Sequence, residues 1–488
     1  MRRQVEGRPS ASRLAAVAAI AAVADGGDGG VVGRVSWRLG LALLVTLVAT
    51  PPAAAEEPHR LLGVSGCASA GCHAAAEAGH APWQSAFTVW ATRDPHSQAH
   101  RALEGPVAER IVAAIAARSG GRPQPAASEH PACVACHAPG LDAARREGVG
   151  CETCHGAAGD WVVAHTLPDW TTRGNSAGMV DLADPATCAR TCVPCHVGGA
   201  PRADGSTMEV SHDLIAAGHP RLAFELRGFK AGVPPHWRDR VALAAAGTAP
   251  AADVDPLAEW STGRLVVLEA YLAQTARQAA AAPGATHGLL ADTWPELTAF
   301  DCYGCHRQPV ATGDRGQPVA PSRGRLRLEP AVWSLLDRAA PDAGAELTAL
   351  RADIERAWWL PPEPARLRGA AERLAGLTAA GRPSGQAPSR ALVEHVAAAT
   401  DPANLDEVVA TLAFLEAVLD HQRARAVPAE RVAAPAAALA DLRRLLAFEA
   451  QGVGAARVRF SNPRGHDPSA VRGALTAAAG LVGSLGEH

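Results

Sequence analysis

Cys133-Val-Ala-Cys136-His137 is followed shortly by Gly148-Val-Gly-Cys151-Glu-Thr-Cys154-His155. Cys192-Val-Pro-Cys195-His196 and Cys302-Tyr-Gly-Cys305-His306 repeat the pattern. Cys67-Ala-Ser-Ala-Gly-Cys72-His73 is a variant with four residues between its cysteines. A cysteine pair closed by histidine is the attachment signature of haem c. The two thiols add across the haem vinyl groups, and the following imidazole is placed where it binds iron from the proximal side. Ten of the eleven cysteines are used in this way, so the sequence calls for five covalently attached haems.

Two other uses of paired cysteines account for less. Paired Cys-x-x-Cys units can hold tetrahedral zinc through four thiolates, and an exported chain can spend its cysteines on disulfides. Neither needs a histidine after the second cysteine. Histidine makes up 19 of 488 residues, about one in 25, yet it follows all five pairs.

The chain is long enough for two or three domains. Its hydrophobic content of 48% fits a globular protein, but the aromatic fraction is only 4%. Haems supply flat apolar surface that such a chain otherwise lacks. The formal charge of -3 carries no basic excess, which argues against nucleic acid as a partner.

Haem c is attached outside the cytoplasm, so an export signal is expected. Arg34 and Arg38 precede the apolar run Leu39 to Ala49, then come Pro51, Pro52 and Ala53-Ala54-Ala55. A basic flank, an apolar run and small residues at the cleavage point form a secretory signal, with cleavage near Ala55 and a periplasmic or otherwise exported product. The run is shorter than the roughly 20 residues of a membrane span. Residues 1–55 therefore read as leader and signal peptide, and the Arg-, Ala- and Gly-rich start points to translation beginning near residue 31.

Residues 56–325 read as a five-haem cytochrome c domain, mainly α and loop-rich. Residues 326–488 read as a haem-free, bundle-like helical C-terminal domain, joined through the Pro- and Gly-rich stretch Arg307 to Arg327. The short link between His137 and His155 places those two haems together. A helix is expected over Asp255 to Ala282, with Leu257, Trp260, Leu265, Leu268, Tyr271 and Leu272 on one apolar face. In the tail, three- and four-residue apolar spacing predicts helices over Val332 to Ala339, Ala343 to Trp359, Glu363 to Ala379, Ser389 to Thr400, Asn404 to Arg423 and Ala429 to Gln451. Such a bundle can stabilise, dimerise or dock a partner.

What fills the sixth iron position separates electron relay from catalysis. After signal removal only Met179 and Met208 remain, so histidine is the expected distal ligand. In Ser211-His212-Asp-Leu-Ile-Ala-Ala-Gly218-His219-Pro220, the two histidines are two turns apart on a helix and could serve neighbouring haems, unless the helix breaks at His219. Asp94-Pro95-His96 has the form of a helix start, with Asp94 as N-cap, and would hold His96 rigidly. His100, one turn on, competes with it. His165 is the fourth candidate. For the fifth, His80, His130, His236 and His287 remain, each reading first as an ordinary polar residue. Cys188 reads as a small buried side chain.

The variant first motif, "TRDPHSQAH", "GVGCETCHGAAGDW", "CVPCHVG", "SHDLIAAGHPRL", "PPHW" and "FDCYGCH" together resemble the cytochrome c-552/c-554 family of periplasmic multihaem cytochromes, over about residues 60 to 310. The resemblance implies a mostly helical, loop-rich fold with haems in stacked and perpendicular pairs and largely bis-histidine iron. It points to His96, His165, His212 and His219 as distal ligands. A fifth motif and a long tail depart from the tetrahaem members, so neither their partner nor an open haem carries over.

The expected function is a relay of electrons between a respiratory donor and an acceptor, with redox proteins as partners and a membrane-bound quinol oxidase among the possible donors. The alternative is an oxidoreductase that acts on a small nitrogen or sulfur species at one open haem, with Asp213 or His236 beside it. No Cys-x-x-Cys-Lys motif is present, and the two tyrosines are Tyr271 and Tyr303. The sequence assigns no catalytic residue.

Overall fold

The computed structural model describes residues 60–139, 147–167, 170, 178–200, 208–236, 254–280, 294–302, 326–333, 335, 343–380, 387–447 and 466–486. The leader, the cleavage point near Ala55, Tyr303, Cys305, His306 and most of the Pro- and Gly-rich stretch lie outside them. The fold is mainly α. Among the described residues the only β pairing is two isolated bridges, Gly199 with Met208 and Phe300 with Leu328.

The N-terminal part is a set of short helices. These are α1 (Ala86–Arg93), α2 (Pro106–Arg118), α3 (Pro131–His137), α4 (Cys151–His155), α5 (Pro185–His196), α6 (His212–Ala216) and α7 (Leu226–Gly232). Prolines at the first turn begin α2, α3 and α5, where the missing N–H costs no hydrogen bond. Asp184 caps α5 and Ser211 caps α6 through their side chains. Asp94 caps the 3-10 helix Pro95–Leu103 by accepting from the His96 N–H, as the sequence expects.

The long helix α8 (Pro256–Ala280) organises the rest. The sequence expects one apolar face, but α8 is buried almost all round. Leu257 and Trp260 join a core built mostly of tail residues, with the Trp260 and Phe414 rings 5.2 Å apart. Leu265, Leu268, Tyr271 and Leu272 join a second core with Leu347, Ile354, Leu367 and Leu374. Val266 and Val267 face Val193 of α5 and Phe224 in a third. Near the start of α7, a Cβ on Gly263 would come within 2.8 Å of Leu226 Cβ, so only glycine permits that approach.

The tail supplies α9 (Pro330–Trp333), α10 (Gly344–Arg356), α11 (Pro364–Ala380), α12 (Arg390–Ala399), α13 (Leu405–Ala424), α14 (Ala429–Leu445) and α15 (Pro468–Gly483). The first of the expected tail helices, Val332 to Ala339, lies largely outside the described residues. Helix α15 was not expected from the spacing, although Asp467-Pro468 is a clear cap and first turn. Helix α11 packs along α8, and α15 packs against α12 and α14. Polar ties accompany the cores: His421 Nδ1 lies 2.5 Å from Asp255 Oδ2, and Arg227 donates to Asp420 at 2.7 Å. No helix among the described residues is long and apolar enough to cross a membrane.

Both tail-containing cores therefore straddle residue 325. Trp260→Ala is expected to cost about 3–5 kcal/mol of stability, the usual loss for a large buried aromatic. The loss would be read as a lowered denaturant midpoint by circular dichroism of the holoprotein. A midpoint equal to that of the parent would mean that α8 and the tail do not depend on each other.

Candidate functional site

Three of the cysteine motifs lie on helices. In α3, α4 and the last turn of α5 the two cysteines are three residues apart, one turn on one face, and the histidine is the last helical residue. The first motif, with its wider spacing, is built from turns instead, Cys72 N–H donating to Ser69 O at 2.9 Å. All ten described cysteines are unbridged.

The histidines of these motifs meet rings from distant parts of the chain. His73 and His165 have ring centres 6.2 Å apart and nearly parallel, at 18°. His196 and His96 are 6.2 Å apart at 83°, and His137 and His219 are 6.3 Å apart at 87°. Metal–imidazole bonds are about 2.0–2.1 Å long, so two imidazoles on opposite sides of one metal have centres roughly 6 Å apart. All three pairs have this separation.

Hydrogen bonds fix the tautomers. His73 Nδ1 donates to Trp83 O at 2.6 Å, His137 to Ala99 O at 3.0 Å, His165 to Val162 O at 2.6 Å and His219 to Pro220 O at 2.7 Å. His96 Nδ1 donates to the Asp94 carboxylate at 2.9 Å. Since these oxygens only accept, Nδ1 carries the proton and Nε2 keeps its lone pair for a metal. Burial works to raise the Asp94 carboxyl, but the bonds from the His96 ring and backbone outweigh it and hold the group below its usual range.

His155 is pushed down to about 4, first by burial and then by His236, His73 and His165, so it is neutral at pH 7. His196 is also pushed down to about 4, by burial and then by His96 and His137. His236 is within electrostatic reach of His155, and its Nδ1 donates to Pro234 O at 3.0 Å. The His155 Nδ1 is buried without a hydrogen-bond partner.

The motifs are also close to one another. The Cys67 thiol hydrogen-bonds with Cys151, and Cys154 lies within electrostatic reach of Cys188 and Cys195. Thr153 Oγ1 donates to Pro139 O at 3.4 Å, joining the second and third motifs. Glu152, between the cysteines of the third motif, accepts from the N–H groups of Leu62, Gly63 and Ala158. Gly148 has φ +69°, and a Cβ there would lie 2.6 Å from His96 O. That close approach brings the Val149 N–H onto His96 O at 2.9 Å. A cavity of about 190 Å³ opens beside His196 and Val197, walled by Arg221, Tyr271 and Gln274 and closed by Asp406 of the tail.

Several expectations change. Helix α6 stops at Ala216 and Gly218 has φ +115°, so His212 and His219 do not share a helix face. His212 receives a contact at its backbone, its N–H donating to Glu296 at 2.8 Å. His100 is buried with Nδ1 3.8 Å from Glu104, while His96 is the one that faces a motif histidine. Asp213, considered as an acid-base group, is ion-paired with Arg118. Cys188 hydrogen-bonds with Cys192, one turn on in α5. His236 carries no periodic signal; the preceding Pro234-Pro235, which stiffens its approach, was the cue available. Trp161 and Trp170 stand edge-on to His165, another feature that spacing did not reveal.

The donor set suits haem. Among the described residues no three His, Cys, Asp or Glu side chains gather as a metal site, whereas tetrahedral zinc needs four donors at one point. Opposed imidazoles beside cysteine pairs would instead suit an iron whose other donors a porphyrin supplies. Cys133, Cys154, Cys192 and Cys195, with Cys67, Cys72 and Cys151, stand next to those imidazoles in sequence. Cys302 stands near Arg221, Glu329 and Asp406.

A protein-family model described as cytochrome c554 and c-prime matches residues 67–156, from the first cysteine of the first motif to just past His155. No curated protein and no solved structure matches the chain.

Asp94→Asn keeps an N-cap acceptor but removes the negative charge at His96 Nδ1. An iron held by His96 would become easier to reduce by tens of millivolts, where about 59 mV is a tenfold change for one electron. Spectroelectrochemical titration reads this as one wave moved positive. Unmoved waves would leave Asp94 a cap and nothing more.

Proposed function

We propose that this chain, which is similar to the cytochrome c554 family over residues 67–156, relays electrons outside the cytoplasm through five haems with histidine on both faces of the iron. It is a c-type cytochrome that binds haem c covalently and works in electron transfer. Each bound haem supplies one-electron iron chemistry. The polypeptide holds and spaces the imidazoles.

In this reading His73 and His165, His137 and His219, and His196 and His96 are three axial pairs. The observation that carries it is their common separation of 6.2–6.3 Å, reached from unconnected segments. His236 is the distal partner of His155, and His212 remains for His306. Cys302 and Cys305 attach the fifth haem.

Burial keeps His155 and His196 neutral, the form that ligates. Bonds at Nδ1 orient His73, His96, His137, His165 and His219 before any metal arrives, which keeps reorganisation small when charge changes. Contacts between motifs, such as Cys67 with Cys151, support a continuous path. Cys72 is exposed, so the first haem is the natural edge for exchange with a redox partner protein. With His236 as the distal partner of His155, that iron offers the oxidoreductase reading no open site.

Pyridine haemochrome is expected to count five haems, and electron paramagnetic resonance of the oxidised holoprotein to show only low-spin iron. His236→Ala should create one high-spin iron that binds cyanide. A high-spin iron already present in the parent protein would overturn the relay reading in favour of catalysis at that haem.

A further inference from the structure

Arg221 lies two residues after His219, in Gly218-His219-Pro220-Arg221. One guanidinium nitrogen meets Asp406 and the other meets Glu329. All three side chains are withdrawn from solvent, at 14%, 4% and 6% exposure for Arg221, Glu329 and Asp406. The planar fork of arginine lets one residue span two carboxylates, which a lysine ammonium does not reproduce.

Those carboxylates sit on a firm frame. Asp406 is in the first turn of α13, where the Asn404 side chain accepts from the Asp406 and Glu407 N–H groups. Asn404 also donates to Asp301 at 3.2 Å, and the Glu329 N–H donates to Ala299 O at 3.1 Å. The clamp therefore ties the His219 loop both to the tail and to the strip that leads into Cys302.

The loop needs such an anchor. Helix α6 has ended at Ala216, and residues 219–225 carry no helix or strand. Upstream of the histidine stands Gly218 with φ +115°, a position free to rotate. Downstream stands Pro220, whose ring fixes φ and so couples the placement of His219 to that of Arg221. The imidazole is thus suspended between a glycine pivot and a clamped arginine. Two of its bonds are local: the backbone N–H to Leu214 O at 2.9 Å, and Nδ1 to Pro220 O at 2.7 Å.

We propose that Arg221, clamped between Glu329 and Asp406, is the positioning residue that holds His219 opposite His137, so that the C-terminal region governs whether that iron keeps its sixth ligand. The inference rests on the reading of His137 and His219 as one axial pair. An intact clamp keeps the haem closed to small ligands. A loosened clamp lets His219 swing about Gly218 and leaves the position opposite His137 open. The helical tail is then part of the coordination apparatus of a haem attached far from it in sequence.

The test uses full-length holoprotein with haem counted in every variant. His219→Ala sets the benchmark of one open iron. Arg221→Lys and the double variant Glu329→Gln/Asp406→Asn should keep the haem count, gain a high-spin signal of up to one iron, and bind cyanide about tenfold more readily or better. Asp406→Glu should restore the parent behaviour. If the double variant loses haem, Asp406→Asn alone, which keeps the Glu329 pair, is read by the same criteria. Clamp variants that stay low-spin and refuse cyanide while His219→Ala opens one iron would overturn the clamp. A His219→Ala protein in which every iron stays low-spin would instead overturn the axial-pair reading.

Discussion

Imidazole facing imidazole at about 6 Å is the constraint on which the N-terminal half is built. His73 meets His165, His137 meets His219 and His196 meets His96, and each meeting joins segments that lie dozens of residues apart. The helices between them are correspondingly short, since no element here needs length to bury a face. Proline first turns and side-chain caps start them, and glycines such as Gly148 allow backbones to close up around the motifs. Neutrality follows from the same packing, because burial disfavours the charged imidazole.

Helix α8 imposes a second constraint. Its three buried faces belong to three cores, one shared with α5 and the other two with the tail. The motif that ends in His196 is therefore braced by a helix which the tail braces in turn. Arg190 of α5 makes the link direct, donating to Glu269 of α8 at 2.8 Å and to Thr378 of α11 at 2.7 Å. Together with the Arg221 clamp, these ties make the tail mechanically continuous with the region that carries the cysteine motifs.

Much of the local structure could be read from the residues. Asp94-Pro95 announces its cap, and Asn404 and Ser389 announce theirs, because capping depends on one side chain and the next few N–H groups. Leu257, Trp260, Leu265, Leu268, Tyr271 and Leu272, which the spacing puts on one face, are buried, but in two cores. Their periodicity, however, could not reveal that Arg264, Gln274 and Gln278 on the remaining face would be buried too. Hydrophobic spacing reports which residues avoid water, and it is silent where polar residues find partners inside. Of the two readings of His212 to His219, one continuous helix or a break before the second histidine, the structure takes the break: the helix ends at Ala216 and Gly218 has positive φ.

Cysteine pairs ending in histidine, together with the mainly helical character, are written in short stretches of residues, so composition and spacing determine them. In the Cys-x-x-Cys-His motifs on α3, α4 and α5 the two thiols are one turn apart with the imidazole next to them, and that arrangement requires nothing from elsewhere in the chain. The partner of each imidazole is another matter. His236 is one of four candidates in the sequence, and only folding brings it within electrostatic reach of His155; Arg221 stands out only once Glu329 and Asp406 close on it. Such meetings arise from the packing of whole helices, which no local pattern records.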